Sequence, residues 1–283
     1  MNYDVKYLYL DLMEKALSFT LWTETLVPIE IDNKQSVLAQ RMIVSAIVNS
    51  IKVINFVKHK KYYIAYEANY SDTDKANGMV ALRCRDTLIG LKRLNNIKEC
   101  IEIVISDNIK GDLIETGVWR GGACIFMKAV LVANNIKNRK IYVADSFEGL
   151  PKPTTEKYPA DKGNKLYTCI SLAVSKKDVE SNFRKYGLLD DNIVFLKGWF
   201  KDTLPTAPID KLAILRLDGD MYESTMDALV NLYPKLSIGG FCIIDDYGAW
   251  PECKKAVDDY IRQKGIRVDK KDIDSSGIYW RKA

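Results

Sequence analysis

Histidine is nearly absent from this sequence of 283 residues, since His59 is the only one. The six cysteines contain no Cys-x-x-Cys pair. A zinc site built from histidine and cysteine is therefore not expected. Cys124 and Cys242 lie in apolar segments, where reduced cysteine packs as a small hydrophobic residue. We expect a reducing, cytoplasmic setting.

The sequence also lacks a strong excess of charge of one sign. It has 42 basic and 37 acidic side chains, a net charge of +5. No basic run alternates with aromatic residues, and the nearest one, residues 58–61, is typical of a solvated helix end or loop. We therefore expect no nucleic-acid partner.

Long hydrophobic runs are missing as well. The most apolar stretch, residues 42–56, is too short to span a bilayer and contains Lys52. Asp4, Asp11 and Glu14 occupy the region where a signal peptide would be basic and then apolar. We expect neither a signal peptide nor a membrane span.

Two kinds of hydrophobic pattern divide the chain near residue 105. Before it, apolar residues recur at helical spacing over 7–21, 39–57 and 83–104, and the polar stretch 66–78 is typical of a loop. We predict a helical N-terminal region at 1–105 without strands, followed by an α/β domain at 106–283.

In the second part, short apolar runs alternate with amphipathic helices, which indicates βαβ units and a parallel sheet covered on both faces. A closing antiparallel hairpin is expected at 266–269 and 278–281. The predicted strands are 113–116, 141–145, 193–197, 213–217 and 241–245, and the predicted helices are 123–134, 178–186, 221–236 and 252–264.

The segment 151–175 does not follow this alternation. It holds three prolines, a glycine and scattered lysines, and loops of this length in compact domains are typical of functional lids. Because it follows the second strand, it would lie over the carboxyl edge of the sheet, where ligands bind.

A glycine-rich turn, Glu115 to Gly122, joins the first strand of this domain to a helix. Helix-start amides in such a turn face an anionic or polar ligand. A dinucleotide fingerprint beginning at Gly117 would place Trp119 at its second glycine, where the backbone must approach a pyrophosphate. S-adenosylmethionine has no pyrophosphate, so the looser pattern Glu115, Gly117, Gly121 favours that ligand.

Residues that suit a nucleoside follow the next two strands. Asp145 ends the second strand, where an acid can accept both ribose hydroxyl hydrogens. Trp199 and Phe200 follow the third strand and offer an aromatic wall for adenine. Each could instead be a turn-capping acid or a core aromatic, but their order at successive strand ends favours the nucleoside interpretation.

Three further acids follow the fourth and fifth strands: Asp218, Asp245 and Asp246. Parallel neighbours lie about 4.8 Å apart, so paired strands would bring these like charges together, and a cation would compensate them. Carboxylate oxygens suit Mg²⁺. We favour a magnesium site over solvated loop acids. Asp220, with Glu223 at the capping-box interval, is predicted to cap the next helix rather than bind metal.

The sequence resembles the macrocin O-methyltransferase family, magnesium-dependent enzymes that methylate deoxysugar hydroxyls of macrolides. The resemblance covers residues 87–280 and leaves the first third of the chain outside it. It rests on residues 87–94, 111–122, 144–149, 198–205, 217–225 and 245–248.

The resemblance implies a Rossmann-like class I methyltransferase fold with a seven-stranded, mostly parallel sheet, and S-adenosylmethionine and Mg²⁺ as cofactors. It implies that Asp218 is the general base and, with Asp245 and Asp246, a metal ligand. It also implies a homo-oligomer, dimer or tetramer, whose N-terminal region contacts the acceptor and other subunits. The implied cofactor contacts are Thr87, Leu88, Glu115, Thr116, Gly117, Val118, Trp119, Ala144, Asp145, Ser146, Phe147, Glu148, Phe200, Asp218 and Gly219.

The hypothesis is therefore transfer of a methyl group to a hydroxyl of a sugar or glycosylated secondary metabolite, such as an antibiotic. A hydroxyl of a polyketide or peptide natural product is the alternative acceptor. A nicotinamide (NAD) oxidoreductase and a non-catalytic binding module are the alternatives of other classes; Trp119 argues against the first and the intact acid cluster against the second.

Overall fold

The computed structural model describes residues 4–21, 25–28, 50, 65–80 and 85–283. The N-terminal part contains α1 (Val5–Leu17), β1 (Thr25–Pro28), β2 (Ala65–Ala68), α2 (Asp72–Asn77) and α3 (Leu91–Ser106).

The remaining elements alternate between strand and helix, as the hydrophobic pattern predicts. They are β3 (Asp112–Thr116), α4 (Gly122–Ala133), β4 (Ile141–Asp145), α5 (Lys176–Lys185), β5 (Ile193–Lys197), α6 (Phe200–Thr203), β6 (Leu212–Leu217), α7 (Tyr222–Leu232), β7 (Leu236–Ile244), α8 (Pro251–Lys264), β8 (Lys271–Asp272) and β9 (Ile278–Arg281).

One sheet holds seven of the strands in the order β5-β4-β3-β6-β7-β9-β8. The first five of these are mutually parallel, and β9 pairs antiparallel with both β7 and β8. The strand order reverses between β3 and β6, which is the switch point where open α/β sheets bind ligands. In the ladder Thr116 pairs with Leu217, and Leu217 with Ile244, so the segments after these strands meet at one edge.

Helices cover both faces of the sheet and bury two apolar clusters. Neighbouring strand residues face opposite clusters, as Leu113 and Ile114 show, because side chains alternate along a strand. Helices α3, α4 and α5 pack on one face, and α7 and α8 on the other. Leu10 and Leu17 of α1 join the first cluster, so this N-terminal helix shares the core of the sheet.

The α/β class and the seven-stranded sheet are confirmed, whereas the expectation of an N-terminal region without strands is wrong. β1 and β2 form an antiparallel ribbon in which Thr25 pairs with Ala68. The predicted loop 66–78 contains most of β2 and the helix α2, whose start is capped by Ser71 and Asp74 and whose end is closed by Gly78 in the left-handed region. Strand pairing across about 40 residues leaves no local pattern to recognise.

Several predicted boundaries also change. The strand expected at 266–269 is absent, and the partner of β9 is instead β8, two residues further on. Helix α7 ends at Leu232, where a 3-10 turn containing Pro234 follows it. Helix α3 begins only after Gly90. The helix predicted at 39–57 lies outside the described residues except for residue 50. The assignment of residues 1–105 to acceptor and subunit contacts, with the methyltransferase domain at 106–283, stays a prediction. None of the described helices is long and apolar enough to cross a membrane.

Candidate active site

A cleft that is partly open to solvent lies where β3, β4, β5 and β6 end. Of the residues predicted to contact the cofactor, eight line it: Leu88, Gly117, Trp119, Asp145, Ser146, Phe200, Asp218 and Gly219. The other seven do not belong to its lining: Thr87, Glu115, Thr116, Val118, Ala144, Phe147 and Glu148. The carboxyl ends of four successive strands of the sheet thus supply one binding site.

The glycine turn is shaped by the neighbouring strand as much as by its own sequence. Gly117 has φ +80°, and a Cβ there would lie 1.7 Å from the carbonyl oxygen of Asp218. The Asp218 amide donates to the Thr116 carbonyl at 2.9 Å, which holds the two segments together. Gly121 has φ +83°, and its Cβ would meet Val179 of α5 at 2.7 Å. Both positions require glycine because of close approach to another part of the chain.

Asp145 connects the turn to the end of β4. Its carboxylate accepts hydrogen bonds from the amides of Val118 and Phe147, both at 2.7 Å. Burial raises the pKa of this carboxyl, and these backbone hydrogen bonds oppose the rise. The Ser146 hydroxyl lies 3.4 Å from Oδ1, and the carboxylate lines the cleft, where a ligand hydroxyl can donate to it.

Glu115 is buried at 2% exposure and lies beneath the cleft wall rather than in it. Its carboxylate pairs with Arg216 and accepts from the Cys124 thiol at 2.9 Å. Burial raises the Glu115 pKa to about 7. Its observed contacts are those of a buried ion pair that supports the turn.

Arg216 is the functional residue that the sequence pattern does not reveal. It lies on β6, is 1% exposed, and its guanidinium binds Glu115, Asp218 and Asp245. Arg93 of α3 adds a second cation, with Nη1 2.5 Å from Asp245. The one sequence signal was a charged residue within an otherwise apolar strand, which is costly unless the charge is paired.

Three carboxylates converge beside the cleft: Asp218, Asp220 and Asp246 have ligand oxygens within 4.8 Å of one another. Burial and the neighbouring acids raise the pKa of Asp218 to about 6 and that of Asp220 to about 7, and they raise the Asp246 pKa as well. Crowded like charges and an oxygen-only donor set fit a hard divalent cation. Asp245 is adjacent, and both of its oxygens accept from arginines.

The prediction that Asp220 caps the following helix is wrong. The N-cap of α7 is Met221, which makes no side-chain cap. The cap comes instead from Asp161, whose fully buried carboxylate accepts from the amides of Tyr222 at 2.7 Å and Glu223 at 3.0 Å. Asp220 has φ +55° and belongs to the acid cluster. Asp161, which is distant in the chain, thus fills the capping role that the local pattern suggested for Asp220.

Asp161 belongs to the segment 151–175, which contains three short 3-10 turns. The Trp119 indole N–H donates to the Ser171 carbonyl at 2.9 Å, so the segment is bonded to the glycine turn as well as to α7. Pro151, Lys152 and Leu172 line the cleft. This segment therefore forms one wall of the site. Its role as a lid stays a prediction.

The strand order and the cleft at the switch point define a Rossmann-like class I methyltransferase fold. A solved structure, that of the O-methyltransferase NovP, superposes with a TM-score of 0.81 at 42% identity, covering 98% of this chain and 99% of that one.

The family model described as Macrocin-O-methyltransferase (TylF) matches residues 6–282. The chain belongs to this family and is an O-methyltransferase. The match also covers the N-terminal third, which the recognised motifs left out.

Two curated relatives agree with this assignment. The demethyldecarbamoylnovobiocin O-methyltransferase of Streptomyces niveus is 49% identical over 225 residues, which are 79% of this chain and 86% of the relative. The mycinamicin III 3''-O-methyltransferase of Micromonospora griseorubida is 45% identical over 237 residues, 82% of this chain and 93% of the relative.

Proposed function

We propose that this protein transfers the methyl group of S-adenosylmethionine to a hydroxyl of a sugar or glycosylated natural product in antibiotic biosynthesis, with Mg²⁺ as cofactor. The observation that carries the proposal is the position of Asp218, which lines the cleft and also belongs to the acid cluster. Donor and acceptor sites therefore meet at one residue. The relatives named for novobiocin and mycinamicin precursors support the acceptor class.

The donor would lie along the strand ends. Asp145, Phe200 and Gly117 line the cleft. Asp145 would accept from the ribose hydroxyls of the donor, Phe200 would contact its base, and Gly117 would admit its amino-acid portion close to the backbone. Trp119 and Leu172 would cover it from the side of the lid and exclude water from the reacting atoms.

Asp218, Asp245 and Asp246 are the proposed metal ligands. Arg216 binds Asp218 and Asp245 and so fixes both carboxylates, each of which keeps free lone pairs. When bound, the cation would lower the pKa of the acceptor hydroxyl and hold that hydroxyl near the methyl group.

We divide between Asp218 and Asp220 the two roles that the resemblance assigns to Asp218. Its Oδ2 accepts from the Arg216 guanidinium at 3.0 Å, and this positive charge opposes the rise that burial causes in the Asp218 pKa, which is about 6. Asp220 has no arginine partner among its described contacts, lines the cleft, and has a pKa raised to about 7 by burial and by Asp218. A general base works best with a pKa near the working pH. We therefore assign proton removal to Asp220 and metal binding to Asp218.

Asp218→Asn and Asp220→Asn test this division. Calorimetry with S-adenosylhomocysteine and with Mg²⁺ would accompany a methylation assay on demethyldecarbamoylnovobiocin and mycinamicin III. We expect Asp218→Asn to lose turnover and Mg²⁺ binding while affinity for S-adenosylhomocysteine is nearly unchanged. Asp220→Asn should keep both ligands and lose turnover about 10²- to 10⁴-fold.

Other results would contradict the proposal. An active Asp218→Asn enzyme would remove the metal assignment, and an active Asp220→Asn enzyme would remove the base assignment. Thermal stabilisation by NAD but not by S-adenosylhomocysteine would overturn the donor.

A further inference from the structure

Two carboxylates of α7 that the mechanism does not use also line the cleft. Glu223 and Asp227 are four residues apart, so they lie on one face of the helix. Like charges at this spacing repel one another, and Asp227 lies close enough to Glu223 for that charge to raise its pKa after the larger effect of burial. Lys157 and Lys201 oppose this rise, so the two acids are partly compensated by neighbouring positive charges.

Glu223 also has an unmet hydrogen-bonding capacity. The residue is 8% exposed. Oε1 lies 3.5 Å from the Thr154 hydroxyl, whereas Oε2 is buried and has no hydrogen-bond partner among the described residues. A buried acceptor without a donor is energetically unfavourable. A ligand group that donates hydrogen bonds would satisfy the Glu223 carboxylate.

The position of the pair relative to Asp145 indicates which group that is. The Gly198 amide donates to the Asp145 carbonyl at 2.9 Å, and Phe200 begins α6 two residues later. Helix α6 packs against α7, and its Lys201 is a charged neighbour of Asp227. We therefore infer that the cleft wall runs from Asp145, the proposed ribose ligand, past the Phe200 ring to Glu223 and Asp227.

We propose that Glu223 and Asp227 bind the exocyclic amino group of the donor's adenine, each carboxylate accepting one of its two N–H hydrogens. The proposal rests on S-adenosylmethionine as donor. An inosine base would place a carbonyl oxygen against these carboxylates, so the pair would make the site selective for adenine.

Calorimetry with S-adenosylhomocysteine and S-inosylhomocysteine tests this on the full-length protein, in the wild type, Asp227→Asn and Glu223→Gln. Asp202→Asn is the matched control, because Asp202 is an exposed acid of α6 near Asp227 that does not line the cleft. We expect the wild type to bind the adenine compound at least ~10-fold more tightly, the loss expected for hydrogen bonds to charged groups. Asp227→Asn and Glu223→Gln should each reduce this ratio, and Asp202→Asn should keep it.

The outcomes separate the proposal from its premise. If neither compound binds the wild type, the donor assignment fails, and this inference fails with it. If S-adenosylhomocysteine binds but the wild-type ratio is near one, or both cleft variants keep the wild-type ratio, the amino-group contact is refuted while the donor stands. A lower affinity for both compounds at an unchanged ratio would show a structural effect only and would also refute it.

Discussion

Arg216→Met should destabilise the protein more than any exposed charge substitution. Arg216 is 1% exposed and lies on β6 among three carboxylates, those of Glu115, Asp218 and Asp245. Methionine fills much of the same volume but leaves these acids without their shared partner. Removing one member of a buried ion pair costs about 3–5 kcal/mol.

The partners that remain in Arg216→Met support this expected loss of unfolding free energy. Asp245 keeps Arg93, and Asp218 is 23% exposed, so both retain some compensation. Glu115 is the acid left most isolated, with only the Cys124 thiol as donor. We therefore expect about 3–5 kcal/mol, which corresponds to a fall in Tm of about 5–8 °C for a chain of this size.

Urea unfolding followed by circular dichroism, with a thermal melt, measures this loss. Arg262→Met is the control, because Arg262 forms an ion pair with Asp259 while its side chain is 74% exposed; we expect it to cost at most about 1 kcal/mol. Adding Glu115→Gln to Arg216→Met should recover part of the loss, since one buried charge fewer is left unpaired. A loss below about 1 kcal/mol in Arg216→Met, or no recovery in the double variant, would refute the assigned role of the network.

Three further predictions follow from the cleft. Gly117→Ala should abolish S-adenosylhomocysteine binding in calorimetry, because its Cβ would collide with the Asp218 carbonyl and the left-handed backbone alone costs about 1–2 kcal/mol; retained affinity would contradict the close approach. Asp161→Ala should lower the unfolding free energy by about 1–2 kcal/mol through loss of the α7 cap and speed proteolysis within 151–175; an unchanged cleavage rate would show that Asp161 does not hold this segment. Chelation with EDTA should remove methylation activity and added Mg²⁺ should restore it, whereas full activity in EDTA would refute a metal requirement.

The order of strands and the residues at their ends were accessible from the sequence. β4 and β5 begin and end at the predicted residues, because each is a short apolar run bounded by polar or turn-forming residues. Asp145 ends its strand and Asp218 directly follows its strand, and parallel strands bring the residues at their carboxyl ends to one edge of the sheet. Local pattern and chain order were sufficient for these features.

Tertiary structure alone decided how those residues are used. Asp220 has the local pattern of a helix cap, yet Asp161, some 60 residues earlier, supplies that cap and leaves Asp220 in the acid cluster. The β1–β2 pairing and the contacts of Arg216 with Glu115 and Asp245 likewise join residues far apart in the chain. A carboxylate's role depends on the donors and charges within a few ångströms of it, and folding brings those neighbours from elements that no local pattern connects.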